Sequence, residues 1–87
     1  MMSQGTIEIY YKTWCGYSQD ALAILDDLGV AYTAIDVTTD RAGEAEMVRR
    51  SGRTSVPEIF IDGELIGGYD ELRAFLQLAA FEVREAA

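Results

Sequence analysis

Hydrophobic and polar positions follow three successive patterns from residue 7 to residue 37: strand, helix and strand. Residues 7–11, Ile-Glu-Ile-Tyr-Tyr, alternate and are rich in β-forming side chains, which predicts a strand. From Tyr17 to Leu28 the apolar residues recur at helical spacing, and Gly29 is placed to end the helix as its C-cap. This apolar stripe consists of Ala21, Leu22, Ile24, Leu25 and Leu28. Residues 30–37 return to a strand pattern.

The second half of the chain predicts a helix, a hairpin and a final helix. Residues 40–50 form a rather polar helix whose apolar contacts are Ala45, Met47 and Val48. Strands at 58–61 and 64–66 flank Asp62-Gly63, a pair typical of a type I′ turn. The last helix covers residues 69–82, with acidic Asp70 and Glu71 in its first turn, where the helix dipole favours them. Its predicted buried side consists of Leu72, Phe75, Leu76, Leu78 and Ala79.

This order of elements predicts a mixed α/β layer fold. The first two strands are joined through a helix, so we expect them to be parallel with a right-handed crossover. The hairpin adds two antiparallel strands to the same sheet, and the helices cover its faces. With 87 residues, we expect residues 1–87 to form a single domain.

Composition narrows the possible chemistry. The chain has one cysteine and no histidine, which excludes an internal disulfide, Cys-His or Ser-His-Asp catalysis, and ordinary zinc sites within one chain. The net charge of −8 argues against nucleic acid or an anionic membrane as a partner. The first residues are too polar for a signal peptide, and no apolar run approaches a membrane span, so we expect a cytoplasmic location.

Cys15 is the first candidate for chemistry. It follows the first strand and precedes the first helix, beside free backbone N–H groups and the positive end of the helix dipole. Both favour the thiolate, the form that attacks disulfides, and Lys12 places a further positive charge nearby. The plainer interpretation is a buried, inert cysteine. Its position at the carboxyl edge of a sheet, where α/β folds bind ligands, favours a reactive thiol.

Two further segments each have two interpretations. Val56-Pro57 is either an ordinary strand start with a trans bond, or a cis bond that exposes the Val56 backbone to an extended, peptide-like ligand. Gly67-Gly68-Tyr69-Asp70 is either a hairpin exit with Asp70 as helix cap, or a site for an α-amino acid group. In the second case the helix N-terminus takes the carboxylate and Asp70 the ammonium.

Three motifs together resemble the glutaredoxin family: Lys12-Thr13-Trp14-Cys15-Gly16-Tyr17-Ser18, Thr54-Ser55-Val56-Pro57 and Ile66-Gly67-Gly68-Tyr69-Asp70-Glu71. The resemblance implies a thioredoxin fold, a four-stranded mixed sheet flanked by three helices, with a cis Val56–Pro57 bond. It also implies that Cys15 is the catalytic residue and takes the mixed disulfide with glutathione. The glutathione-binding residues that it implies are Lys12, Cys15, Tyr17, Thr54, Val56, Pro57, Gly68, Tyr69 and Asp70.

The resemblance also implies which part of glutathione each of these residues contacts. Lys12 lies near the thiolate and the glycine carboxylate, and Tyr17 lines the groove. The Val56 backbone pairs with the cysteinyl part, while the Tyr69 backbone and Asp70 hold the γ-glutamyl end. Arg49 and Arg53 are candidates for a second contact with the glycine carboxylate.

The sequence departs from both classes of the family. Ser18 stands where dithiol members have a second cysteine, so the CGYS motif resembles the monothiol class. However, monothiol members usually have extra residues between the lysine and the cysteine. They also have a Trp-Pro pair where this chain has Arg53-Thr54-Ser55. The chain therefore combines a monothiol active site with a dithiol-type framework.

Three functions follow as hypotheses. The first is glutathione-dependent thiol–disulfide exchange by a monothiol route through Cys15, with glutathione and glutathionylated proteins as partners. The second is a 2Fe–2S cluster carrier, in which Cys15 is the metal ligand of a homodimer and two glutathiones complete the four sulfurs. Gly16 favours this hypothesis, since proline at that position is thought to hinder cluster assembly in the family. The third is a redox-inactive binding domain. Without a cluster, we expect a monomer.

Overall fold

A computed structural model describes residues 6–86 of the chain, and the side chains of residues 6–77. The elements in chain order are β1 (Ile7–Tyr11), α1 (Gly16–Leu28), β2 (Thr33–Asp36), α2 (Arg41–Ser51), β3 (Glu58–Ile61), β4 (Glu64–Gly67) and α3 (Tyr69–Ala86). All seven predicted elements are present. Two bounds differ by more than one residue: β2 is shorter than residues 30–37 at its N-terminal end, and the backbone of α3 continues past residue 82.

The four strands form one mixed sheet in the order β2-β1-β3-β4. Strand β1 runs parallel to β2 and antiparallel to β3, and β3 and β4 form the predicted hairpin. Both turn residues of that hairpin, Asp62 and Gly63, have positive φ, of 54° and 82°, as a type I′ turn requires. The expected mixed four-stranded sheet with three helices is confirmed.

Alternation along the central strands divides the core between the two faces of the sheet. Ile9 and Ile59 pack with Ala21 and Leu25 of α1 and Leu72 of α3. Their neighbours point the other way: the second cluster consists of Tyr10, Phe60, Val37 and Met47 of α2. Helices α1 and α3 therefore cover one face, and α2 covers the other.

Three predicted core contacts are wrong. Phe75 is 39% exposed, because it lies about 100° around α3 from Leu76, which packs on the core. Leu28 is 52% exposed, at the last residue of α1 before the chain turns at Gly29. Ala45 is exposed because it lies about 200° from the buried Met47 on α2. The predicted contacts of Leu78 and Ala79 fall outside the described side chains.

Among residues 6–86, no helix combines the length and apolar character needed to cross a membrane.

Candidate active site

Cys15 is the N-cap residue of α1, where the chain leaves β1 and enters the helix. Its backbone is extended (φ −90°, ψ 120°), and its carbonyl accepts the first helical hydrogen bond from Gln19 N at 3.1 Å. Its side chain does not cap the helix, so the sulfur makes no bond to the N–H groups of the first turn. The residue is half-buried. This position combines access to solvent with the positive end of a 13-residue helix.

The sulfur reaches the loop that precedes β3. Cys15 Sγ lies 3.7 Å from the carbonyl oxygen of Val56, to which the thiol donates a weak hydrogen bond. The Val56–Pro57 peptide bond is cis, so the expectation of a cis bond is confirmed and the trans alternative is wrong. The fold thus joins two of the three sequence motifs at one point, although 41 residues separate them along the chain.

Ser18 and Cys15 differ sharply in their surroundings. Ser18 has an exposure of 0%, and its hydroxyl oxygen accepts a bond from the Lys12 backbone N–H at 3.3 Å. It therefore lies beneath the turn that carries Cys15 and supports its backbone. The active-site turn presents the Cys15 thiol at the surface, and the Ser18 hydroxyl is directed inward.

Lys12 forms an ion pair with Glu44, a residue that the sequence analysis did not identify as a site candidate. Its ammonium group lies 3.2 Å from Glu44 Oε2 on α2 and 5.6 Å from the ring centroid of Trp14. Both side chains are at least partly exposed, so the ion pair is screened by solvent. Lys12 is thus placed beside the active-site turn, with Glu44 as its carboxylate partner in the structure.

A groove of about 310 Å³ opens beside this turn, between the loop before β3 and the start of α3. Six of the predicted ligand residues line it: Tyr17, Val56, Pro57, Gly68, Tyr69 and Asp70. The rings of Tyr17 and Tyr69 lie 5.8 Å apart and form an aromatic wall. The groove also contains Arg53, Ser55 and Glu71, of which only Arg53 was among the candidates.

Three predicted residues do not line the groove. Cys15 stands at its edge through the contact with Val56, and Lys12 lies toward α2 against Glu44. Thr54 is exposed on the loop, and its neighbour Ser55 takes the lining position. Arg49, the other basic candidate, is exposed on α2 and is also absent from the lining.

Glu71, not Asp70, caps the N-terminus of α3. Gly68 is the N-cap residue, since its carbonyl accepts from Leu72 N at 2.9 Å. Glu71 Oε1 accepts the Gly68 N–H at 2.8 Å, which is half of a capping box. This bond, followed by one to its own backbone N–H, lowers the pKa of Glu71 below its ordinary value. The alternative with Asp70 as helix cap is therefore wrong, and the exposed Asp70 faces the groove.

The close approach at this corner requires glycine. Gly67 has φ +125°, and a Cβ added there would lie 2.8 Å from Glu71 Cγ. At Gly68 an added Cβ would lie 3.4 Å from Pro57 O and 3.9 Å from Arg53 Nη2. Glycine is therefore required at position 67, where Glu71 lies close, whereas a Cβ at position 68 would make ordinary van der Waals contacts with Pro57 and Arg53.

A buried acidic residue lies behind the groove. Glu58, the residue after Pro57, has an exposure of 0%, and its Oε2 accepts from Arg53 Nε and from Ser55 Oγ, both at 3.0 Å. The sequence analysis assigned Glu58 only to a strand. The available signal was an acidic side chain in a strand of otherwise apolar residues, with an arginine five positions earlier.

Comparison with known proteins agrees with this geometry. The family model described as Glutaredoxin matches residues 7–66. The chain is 46% identical to Glutaredoxin 3 of Escherichia coli (strain K12) over 68 residues, 78% of this chain and 82% of that protein.

Solved structures show the same similarity. A buckwheat glutaredoxin–glutathione complex matches with a TM-score of 0.76 and 28% identity, over 86% of this chain and 71% of that chain. The holo form of glutaredoxin C1 from Populus tremula x tremuloides matches with a TM-score of 0.73 and 27% identity, over 93% of this chain and 85% of that chain. These similarities confirm the thioredoxin fold, and the chain belongs to the glutaredoxin family of glutathione-dependent thiol–disulfide oxidoreductases.

Proposed function

We propose that the chain removes glutathione from protein mixed disulfides by a monothiol route through Cys15. The observation that carries the proposal is the contact between Cys15 Sγ and the Val56 carbonyl, at 3.7 Å. It places the thiol at the edge of a groove whose lining offers backbone groups, aromatic rings and charges of both signs. Glutathione is a tripeptide with two carboxylates and one ammonium group, so its binding requires backbone partners and charges of both signs.

The reaction needs two exchanges. The Cys15 thiolate attacks the glutathionyl sulfur of a protein–glutathione disulfide, and the protein thiolate leaves and takes up a proton. The thiolate of a second glutathione then attacks the glutathionyl sulfur of the Cys15 mixed disulfide. Glutathione disulfide is released and the Cys15 thiolate returns. In total, the protein–glutathione mixed disulfide is reduced by two electrons, and the two glutathione sulfurs are oxidised to one disulfide.

In this proposal, different residues at the groove bind different parts of glutathione. The Val56 backbone pairs with the cysteinyl part, beside Pro57 and Ser55. Tyr17 packs along the tripeptide. The γ-glutamyl end lies beside Gly68 at the start of α3, where the Tyr69 backbone meets its carboxylate and Asp70 meets its ammonium. The glutathione bound in the buckwheat relative supports a ligand of this class.

Lys12 is the proposed partner of the glycine carboxylate. In the structure its ammonium is held by Glu44 at 3.2 Å, so binding requires the ligand carboxylate to share or replace this contact. Because the pair is solvent-screened, this exchange costs little. We place the reaction in the cytoplasm, where glutathione keeps thiols reduced, with glutathionylated proteins as substrates and a monomer as the active form.

Ser18 explains why the route uses one thiol of the protein. A dithiol route needs a second cysteine to attack the Cys15 mixed disulfide, and the chain has only one cysteine. Free glutathione can perform this step instead, because it reaches the glutathionyl sulfur from solvent. Internal resolution of protein disulfides is not available to this chain.

The test is deglutathionylation of a glutathionylated peptide with excess glutathione. Cys15→Ser should reduce the rate to that of the uncatalysed exchange. Thr39→Ala is the control, since it removes an exposed hydroxyl that does not line the groove and keeps the thiol, and we expect its rate to be retained. Circular dichroism verifies that both variants fold. A wild-type rate equal to the background would refute the proposal and favour a redox-inactive binding domain.

A second function, 2Fe–2S cluster binding, is favoured by the open backbone beside Cys15. An added Cβ at Gly16 would have no heavy atom within 4 Å, so a second chain can approach the thiol closely. The donor set of one chain does not suffice, because four sulfur ligands are needed and Cys15 supplies one. Two chains and two glutathiones would complete the set, and the bound cluster would supply electron-transfer chemistry.

Anaerobic reconstitution with iron, sulfide and glutathione tests this second function. The expected result is visible absorption together with a dimer on size-exclusion chromatography. The cluster would occupy the thiolate that the exchange reaction needs, so the loaded dimer should not deglutathionylate. A colourless monomer under these conditions would exclude cluster binding.

A further inference from the structure

Glu58 is a buried carboxylate whose second oxygen has no hydrogen-bond partner. Its side chain has an exposure of 0%, and only Oε2 is bonded, to Arg53 Nε and Ser55 Oγ. Within the described side chains, Oε1 accepts no hydrogen bond. Burying a carboxylate costs free energy, and an incompletely paired one costs more. A glutamine or an apolar residue of similar volume would avoid this cost, so stability does not explain why Glu58 is placed here.

The ion pair with Glu58 leaves most of the Arg53 guanidinium available. A guanidinium has five N–H donors, and among the described residues only Nε–H of Arg53 is engaged, with Glu58. The side chain is 44% exposed and lines the groove. Its Nη2 lies 3.9 Å from the position of a Cβ added to Gly68, which places it between the loop before β3 and the start of α3.

The backbone of Arg53 is also held in place. The hydroxyl of Ser51 accepts the Arg53 N–H at 3.0 Å and donates to the Arg53 carbonyl at 3.1 Å. Gly52, with φ 73°, ends α2 between these two residues. The side chain therefore starts from a fixed backbone, and the remaining freedom of its long stem is limited by Glu58.

We infer that Glu58 is a positioning residue that holds the Arg53 guanidinium across the groove, so that Nη1 and Nη2 are ready to bind a carboxylate of the ligand. A free arginine loses rotamer entropy when it is ordered by a ligand. The contact with Glu58 orders the side chain before the ligand arrives, which lowers the entropic cost of binding. The identity of the ligand rests on the proposed function, since glutathione supplies the carboxylate.

The first test is Glu58→Gln, which keeps the shape of the side chain and removes its charge. The expected result is a KM for a glutathionylated peptide raised roughly fivefold, with kcat within about twofold of wild type. Glu64→Gln, an exposed residue of β4, is the control for the loss of one negative charge and should leave KM unchanged. A purely structural role predicts a change in melting temperature with no change in KM.

The second test places the same change in an Arg53→Met background. If Glu58 acts through Arg53, adding Glu58→Gln there should raise KM by less than about twofold, because the group it positions is gone. Equal effects of Glu58→Gln in both backgrounds would overturn the inference. If the Arg53→Met protein does not fold, the comparison of KM between Glu58→Gln and Glu64→Gln still tests the inference.

Ligand analogues identify the carboxylate. One is the glutathione ester of the glycine carboxylate, and the other is 4-aminobutanoyl-cysteinyl-glycine, which lacks the γ-glutamyl carboxylate. The effect of Glu58→Gln should disappear for the analogue that lacks the group bound by Arg53. Persistence of the full effect with both analogues would contradict carboxylate binding at Arg53.

Binding measured without turnover separates this inference from the proposed function. Calorimetry with reduced glutathione on Cys15→Ser should give a dissociation constant that Glu58→Gln raises by the same factor. If wild type fails to turn over while this shift is present, the proposed function is wrong and the inference holds. An unchanged dissociation constant, or the absence of binding heat in Cys15→Ser, would overturn the inference whatever the turnover rate.

Discussion

Arg50 and Arg53 lie three residues apart, and each pairs with a glutamate of the sheet, but they use their guanidinium groups differently. Arg50 donates to both carboxylate oxygens of Glu8, at 2.9 and 3.3 Å, and to the hydroxyl of Tyr10 at 2.8 Å. Its Cζ lies 4.0 Å from the ring centroid of Phe60. The bonds to Glu8 and then Tyr10 raise the pKa of Arg50 above its already high ordinary value.

Arg53 makes one such bond and keeps its remaining donors at the groove. The difference follows from where each residue stands. Arg50 is inside α2 and faces the sheet, so its planar group is used for packing the helix on β1 and β3. Arg53 lies beyond the Gly52 cap, on the loop that leads to Pro57. The two Arg–Glu pairs therefore differ in role: Arg50 packs α2 on the sheet, and Arg53 keeps a cation at the groove.

The largest expected effect is that of Arg53→Met. It leaves the carboxylate of Glu58 buried without its cation, so we expect the free energy of unfolding to fall by about 3 kcal/mol in urea denaturation. We also expect KM for a glutathionylated peptide to rise roughly tenfold. Both changes would appear together in the single variant.

The double variant Arg53→Met/Glu58→Gln separates these two effects. Removing the buried charge should restore more than half of the lost unfolding free energy, while KM stays raised. Recovery of KM along with stability would mean that Arg53 acts only through the fold. In that case the contrast with Arg50 would disappear.

Arg50→Met should show the opposite pattern. It removes the bonds to Glu8 and Tyr10 and the stacking on Phe60, and we expect about 2 kcal/mol of lost unfolding free energy. KM should not change, because Arg50 does not line the groove. Arg49→Met is the matched control on the exposed side of α2 and should cost less than about 0.5 kcal/mol. A raised KM in Arg50→Met would show that α2 packing controls the groove.

Much of the fold could be predicted from the sequence, since its signals are local. The period of two in residues 7–11 and the helical period after Tyr17 decide which faces are buried. Gly29 and Asp62-Gly63 end their elements because the backbone there needs positive φ. Two of the three wrong contacts, Phe75 and Leu28, lie at the edge or end of a correct stripe, where burial depends on the neighbouring layer and not on spacing.

The site could be predicted in part. Cys15, Val56 and the start of α3 came from motifs, and the structure brings them together around the groove. The partners of Lys12 and Arg53 could not be predicted, because Glu44 and Glu58 reach them through tertiary contacts that no spacing indicates. The sequence analysis offered Asp70 as the helix cap, and only the geometry shows that Glu71 takes this role.

The smallest expected effect is that of Glu71→Gln, beside Arg53. Accepting the Gly68 N–H lowers the pKa of Glu71 from its ordinary value of 4.5, so the folded state favours the charged carboxylate. This stabilisation is fully present above the unfolded-state pKa and is lost as pH falls through the lower folded-state pKa. Wild type should therefore exceed Glu71→Gln in urea midpoint near about pH 7, and the gap should close toward about pH 3. Asp70→Asn, in the same turn without the Gly68 bond, is the control and should show a smaller gap. Equal gaps for the two variants would mean that the helix dipole alone, and not the cap at the groove, accounts for the stabilisation.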